Sequence, residues 1–347
     1  MRFYTTQHPY YCGIDLHARS LYVCILDDTG ETILHREIKA RPEPLLNLLT
    51  PYIGNVVVGV ECMHCWYWVS DFCTKHNIDF ILGHALYMKA IHGGKAKNDR
   101  IDSYKIAHLI RGGNFPLAYV YPPEMRAARD LLRRRTRIVR HGADLKAHVK
   151  NTTSQYNLPP NHLDLKYPCA REAMRNCFDD EFVQRSIDLD LDIIAFYRHE
   201  LSSIECFIEK HAKHHNGRDY HILTSFPGIG RILALTILYE VGDIGRFSTV
   251  QGFASYSRLI KCKAESAGKS YGTQGNKIGN AHLKWAFGEI AVLYLRGNDK
   301  AKNYLLKLQK RMSKAKALSA LAHKIGRCVY YMLKNQKVFD EKRFLAS

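Results

Sequence analysis

Near the start of the chain, apolar positions alternate with a period of two. Residues 10–16, 21–26 and 31–38 read as three short strands, with Asp27-Asp28-Thr29-Gly30 as the turn into the third. Connections this short predict an antiparallel meander. Val56-Val57-Val58-Gly59-Val60 is apolar without a break, the pattern of a strand covered on both faces. Elsewhere the period becomes helical, over residues 44–53, 66–76 and 99–111, and residues 80–82 read as one more short strand. The predicted order is three strands followed by alternating helix and strand.

Pro122-Pro123 interrupts this pattern and marks the end of a first domain, residues 1–121. A helix follows in which Leu131, Leu132 and Ile138 alternate with Arg126, Arg129, Arg133, Arg134, Arg135, Arg137 and Arg140. Residues 151–168, with Pro159-Pro160 and Pro168, read as a loop or clamp. From 182 to 214 apolar residues recur at three and four: Ile187, Leu191, Ile194, Leu201, Ile204 and Ile208. That spacing predicts a long helix, either in an ordinary core or in a coiled coil within or between subunits. Residues 122–215 thus form a helical linker or dimerisation region, and 216–347 a mainly helical third part. In that part residues 232–241 and 247–257 are helical, Gly242-Asp243 closes the first of these, another helix starts at His282, and residues 299–347 form a basic helical tail.

Charge sharpens the division. The 347 residues carry a formal charge of +18. By segment the net charge is +1 over 1–120, +6 over 121–150, −4 over 151–215 and +15 over 216–347. Two basic segments separated by an acidic one point to a polyanionic partner. No apolar run is long enough for a bilayer, and no secretion pattern opens the chain, so an intracellular protein is expected, with its ten cysteines mostly reduced.

Four acids stand where acids need a reason. Asp15 lies within a strand of apolar neighbours, and Glu61 ends the buried valine run. Asp99 and Asp102 share one face of a first helical turn behind Asn98, a good N-cap. Ahead of them, Lys95 and Lys97 follow Gly93-Gly94, a basic approach to the same helix start. The strand order is that of RNase H-like nucleases such as the RuvC resolvases, in which the first and fourth strands are neighbours and a later helix packs beside them. In that arrangement the four carboxylates converge, and Mg²⁺ or Mn²⁺ would relieve their repulsion. A competing zinc set, Cys62, Cys65, Cys73 and His76, spans about 16 Å of predicted helix and cannot close around one ion.

Two stretches of the third part suit phosphate. Pro227-Gly228-Ile229-Gly230 before a helix resembles a helix-hairpin-helix turn, where the amides after Gly228 and Gly230 would bind a backbone without reading sequence. Residues 261–270 are small, basic and glycine-bearing. They carry Ser266, Lys269 and a second serine, Ser270, and Lys277 follows closely. A serine held in such a loop can attack a phosphodiester.

In sequence order, Asp15, Glu61, Asn98-Asp99-Arg100-Ile101-Asp102, Pro227-Gly228-Ile229-Gly230, Gly242-Asp243, Ser266-Ala267-Gly268-Lys269 and Lys277-Ile278-Gly279-Asn280 resemble the DEDD-type transposases, the insertion-sequence family numbered 110. The resemblance implies an RNase H-like, RuvC-like catalytic domain and a metal-bound tetrad of Asp15, Glu61, Asp99 and Asp102. It also implies a nucleophilic serine at Ser266 and a structured bridge RNA that pairs with target and donor DNA. Homodimers that pair into tetramers are implied as well. A Piv-type invertase and a metal-dependent junction nuclease are the alternative activities. Two departures stand out: Cys62-Met63-His64-Cys65 follows the glutamate, and Ala267 replaces a glycine after the serine.

Overall fold

The structure is a computed structural model that describes residues 2–92, 98–159, 164–212, 217–274 and 278–346. It forms two compact units, Met1–Pro123 and Glu124–Ser347, so the helices of the middle region belong to the same unit as the C-terminal part. Lys95, Lys97 and Lys277 lie outside the described residues.

In the first unit, β1 (Phe3–Tyr4) leads into β2 (Tyr10–Leu16), β3 (Ser20–Asp27) and β4 (Thr32–Lys39). Then come α1 (Pro42–Leu49), β5 (Val56–Glu61), α2 (Tyr67–Lys75), β6 (Asp79–Gly83), α3 (Ala85–His92), α4 (Asp99–Arg111) and β7 (Phe115–Pro116). The main sheet has the order β4-β3-β2-β5-β6. The β2–β3 and β3–β4 pairs are antiparallel, whereas β2–β5 and β5–β6 are parallel. The meander and the adjacency of its first strand to the valine strand are therefore as the sequence pattern predicts. Helix α3 was not signalled, and the predicted helix at 44–53 stops at Leu49 before a 3₁₀ turn, Thr50–Tyr52, that contains Pro51.

Period-two alternation divides β2 between the two faces of the sheet. Cys12, Ile14 and Leu16 pack with Leu45, Leu48, Val69 and Phe72 of α1 and α2. Tyr11 packs on the other side with Val57, Ile81 and the α4 residues Ile106, Leu109 and Ile110. Gly13 and Gly59, paired in register, form a groove for α4. A β-carbon on Gly13 would overlap the Ala107 amide nitrogen and the Ser103 carbonyl, and one on Gly59 would overlap Ile110 Cδ1. The helix therefore lies directly on the sheet backbone, and its first turn comes to rest beside the next residue on that face of β2, Asp15.

The second unit holds α5 (Pro123–Gln155), α6 (Pro168–Glu172), α7 (Glu181–Ala212), α8 (Gly217–Thr224), α9 (Arg231–Val241) and α10 (Val250–Tyr256). After the hairpin strands β8 (Cys262–Ser266) and β9 (Lys269–Gln274) come α11 (Ala281–Tyr294), α12 (Asp299–Gln309), α13 (Lys314–Asn335) and α14 (Glu341–Ala346). Helix α9 is buried from Leu233 through Val241 and forms the centre of a core with α11 and α13. The basic helix runs further than its arginines signalled, to Gln155, into the stretch read as a loop.

Candidate functional site

Asp15 is 8% exposed near the end of β2. Asn98 caps α4, its side chain accepting a hydrogen bond from the Ile101 amide at 2.7 Å, and this sets Asp99 and Asp102 in the first turn. The positive end of the helix favours both carboxylates there. Ile14 pairs with Val60, so Asp15 and Glu61 are the next residues on two adjacent parallel strands and project to the face that α4 covers. Lys105 Nζ lies 3.7 Å from Asp102.

The tightest cluster contains a residue the sequence pattern did not single out. Donor atoms of Asp15, His17 and Asp99 all lie within 4.8 Å of one another. His17 Nε2 is 3.4 Å from Asp15 Oδ2 and 3.4 Å from Asp99 Oδ2. Glu61 and Asp102 flank this trio without belonging to its closest set. Burial pushes the Asp15 carboxyl above its usual value; His17 opposes that, and the charges of Asp99 and Asp102 add to it. A buried carboxylate with acidic neighbours is a site short of positive charge, and its oxygen donors are those that hard divalent cations take. His17 stands two positions after Asp15, just past the end of β2, and that spacing is the one signal in the sequence that could have pointed to it. Cys62, Cys65, Cys73 and His76 form no such cluster among the described residues.

In the second unit, Ser266 and Lys269 face each other across the turn of the β8–β9 hairpin, both exposed. The expected loop is thus a two-stranded ribbon. Its two turn residues, Ala267 and Gly268, have φ of 49° and 74°. Both are left-handed, as a two-residue type I′ turn demands, and this suits glycine better than alanine. Ser270 pairs with Glu265 along the ribbon.

The arginines of α5 divide into two groups. Arg126 is buried, and Arg133 forks onto Glu240 with its Nε at 2.6 Å. Glu240 is 2% exposed in the core helix α9 and also accepts from Arg129 and from Asn280, the N-cap of α11. Burial pushes its carboxyl up, but Arg133 and Arg129 more than offset this and hold it below the usual glutamate value. Of the basic-helix arginines expected to face a polyanion, Arg126 is thus placed in packing and Arg133 in a buried ion pair. Arg134, Arg137 and Arg140 are exposed, and with Asp130, Arg133, Thr136 and His282 they line a cavity of about 350 Å³. Burial and the nearby arginines disfavour the charged form of His282.

The two glycines before α9 also differ. Gly228 has φ of 95°, and a β-carbon there would stand 2.9 Å from the Tyr294 amide nitrogen, so close packing requires it. Gly230, the N-cap of α9, has open space around it.

Residues 12–158 match the DEDD transposase family of IS110, and residues 220–306 match the family described as Transposase IS116/IS110/IS902. The chain belongs to the IS110 family of transposases. The transposase for insertion sequence element IS1111A of Coxiella burnetii is 24% identical to it over 346 residues, covering 94% of this chain and 90% of the relative. The protein y4qE of Sinorhizobium fredii is 23% identical over 65% of this chain and 55% of its own. An insertion element IS110 protein of Streptomyces coelicolor is 27% identical over 35% of this chain and 30% of its own. The first matched segment contains the whole Asp15–Asp102 acidic set of this transposase, and the second contains the Ser266 hairpin. No described helix of the transposase is long and apolar enough to cross a membrane.

Proposed function

We propose that this transposase excises and integrates an insertion element by cutting and rejoining DNA with two sets of groups, a divalent-cation site and a serine. The observation that carries the reading is the gathering of buried Asp15 with Asp99 at the foot of α4, with Asp102 and Glu61 alongside. These carboxylates would hold Mg²⁺ or Mn²⁺, which when bound supplies positive charge beside the scissile phosphate. An RNase H-like reading of the first unit is supported by its strand order.

Ser266 presents its hydroxyl at the tip of an exposed ribbon, where DNA can reach it. Its Oγ forms a bond to phosphorus as the bond from phosphorus to a sugar oxygen breaks. The serine proton leaves to solvent, and the departing sugar oxygen takes one up. The resulting phosphoserine diester conserves the bond, so another sugar hydroxyl can reverse the step on a different strand without a nucleotide cofactor. Lys269, directly across the turn, offsets charge on a nonbridging oxygen.

Double-stranded donor and target DNA and a structured bridge RNA are the partners in this reading. Arg134, Arg137 and Arg140 hold phosphates, as does the open turn at Gly230. Homodimers that pair into tetramers belong to this reading, and a first self-association is supported by α7, where Phe182, Leu189 and Phe196 stand seven residues apart and all exposed, a heptad seam along one face.

The test uses a nicked DNA substrate that traps covalent intermediates, resolved on a denaturing gel. Wild type gives a protein–DNA adduct, Ser266→Ala gives none while still binding DNA, and Asp15→Asn gives none. An adduct that persists in Ser266→Ala moves the nucleophile elsewhere, Ser270 being the first candidate. Cleavage without any adduct in wild type replaces the reading with that of a junction nuclease.

A further inference from the structure

We propose that His17 is itself a ligand of the divalent-cation site, the single nitrogen donor of that cluster among the described residues, and that it biases the site toward first-row transition ions such as Mn²⁺ over Mg²⁺. The inference rests on the reading of Asp15 and Asp99 as cation ligands.

Three observations carry it. First, His17 is held in place by its backbone: its amide donates to the Ser20 carbonyl at 3.0 Å, which closes the turn between β2 and β3. The side chain therefore leaves the sheet on the same face as Asp15. Second, Nε2 is equidistant from two carboxylate oxygens, at 3.4 Å from each. A charge-assisted hydrogen bond would draw it to one of them at about 2.7–2.9 Å. Instead Nε2 is buried and stands at the same long distance from both, in a well-formed short hydrogen bond with neither. Third, neighbouring ligands of a six-coordinate ion with 2.0–2.1 Å bonds sit about 3 Å apart. Two of the three separations here are 3.4 Å and the third is within 4.8 Å, so one ion could draw all three donors to a shared point.

The surroundings fit. Asp15 closes the inner side of the trio, while Asp99 is half exposed, its side chain at 54%. The outer side is thus open to water and to phosphate oxygens. Donor chemistry then sets selectivity. Mg²⁺ prefers an all-oxygen shell and gives up water reluctantly, whereas later divalent ions accept imidazole readily. A histidine among carboxylates raises affinity for the second group and adds little for the first.

The competing account is that His17 is a protonated counter-charge that shields the two acids when no cation is bound. The two accounts predict opposite signs. If His17 is a ligand, removing it weakens cation binding; if it is a counter-charge, removing it strengthens binding.

The experiment is Mn²⁺ titration of the full-length protein with pulsed electron paramagnetic resonance, and Mg²⁺ affinity by competition. Wild type is expected to bind Mn²⁺ with ¹⁴N coupling. In His17→Ala the coupling disappears and Mn²⁺ affinity falls about tenfold. Mg²⁺ affinity changes by less than about twofold. His17→Gln, which keeps a polar turn residue, should behave as His17→Ala does, and a urea midpoint equal to that of wild type shows that the turn is intact. Mn²⁺ bound by wild type without nitrogen coupling, or bound more tightly by His17→Ala, overturns the role of His17 and leaves the carboxylate site standing. Mn²⁺ binding that is weak in wild type and unchanged by Asp15→Asn overturns both.

Discussion

The α-carbon of Gly13 lies against the backbone of Ala107, with no room for a β-carbon between strand and helix. This contact sets how deep α4 lies on the sheet, and so how close Asp99 comes to Asp15. Gly13→Ala should destabilise the protein by about 2–4 kcal/mol, since neither backbone can yield cheaply. Urea unfolding measures that loss. Mn²⁺ affinity should fall in the same variant although no ligand is altered, because the helix start is lifted away from β2.

Glu240 gives stability a defined dependence on acid. Its folded-state value lies below the ordinary 4.5. The stabilisation it supplies is therefore complete above about pH 4.5 and is lost as pH falls through the lower folded value. Glu240→Gln should lose about 3 kcal/mol at pH 7, since Arg129 and Arg133 are left without their buried partner. In unfolding series from pH 7 downward, the gap between variant and wild type should narrow only below about pH 4.5. A gap that is the same at every pH would mean that the carboxylate acts through packing alone.

Arg137 and Arg140 should matter to nucleic acid as charges. In Arg137→Gln/Arg140→Gln the slope of log affinity against log salt should be shallower by about 2 for a nonspecific DNA duplex. Arg135→Gln is the control, because Arg135 is paired with Glu205 at 2.6 Å. It should leave the slope unchanged.

The heptad face of α7 can be tested by mass. Wild-type protein should elute in light scattering at twice 39.9 kDa or more. Leu189→Glu/Phe196→Glu places charge on an exposed apolar seam, so a folded monomer is the expected product.

Sequence pattern alone reached the sheet because both of its signals, alternation and a continuous apolar run, are local. It reached Asp15 and Asp99 because an acid within a strand and acids behind an N-cap each stand out from their neighbours. His17 was passed over because it follows the last strand residue, where polar side chains are ordinary. The division among the arginines was also out of reach. Arg133 and Arg137 look alike along the helix, and what separates them is Glu240, more than a hundred residues away in an otherwise apolar segment. The hairpin around Ser266 read as a loop because Ala267 hides a left-handed turn that a second glycine would have announced.

The connection between β2 and β3 is only three residues long, from His17 to Arg19. Surface loops of most proteins lengthen at small entropic cost. Here one inserted residue would break the bond from His17 to Ser20 and turn the imidazole away from Asp15. Natural length variation and engineered insertions alike should therefore spare this corner, even though it lies at the surface and looks, by composition, like any other turn.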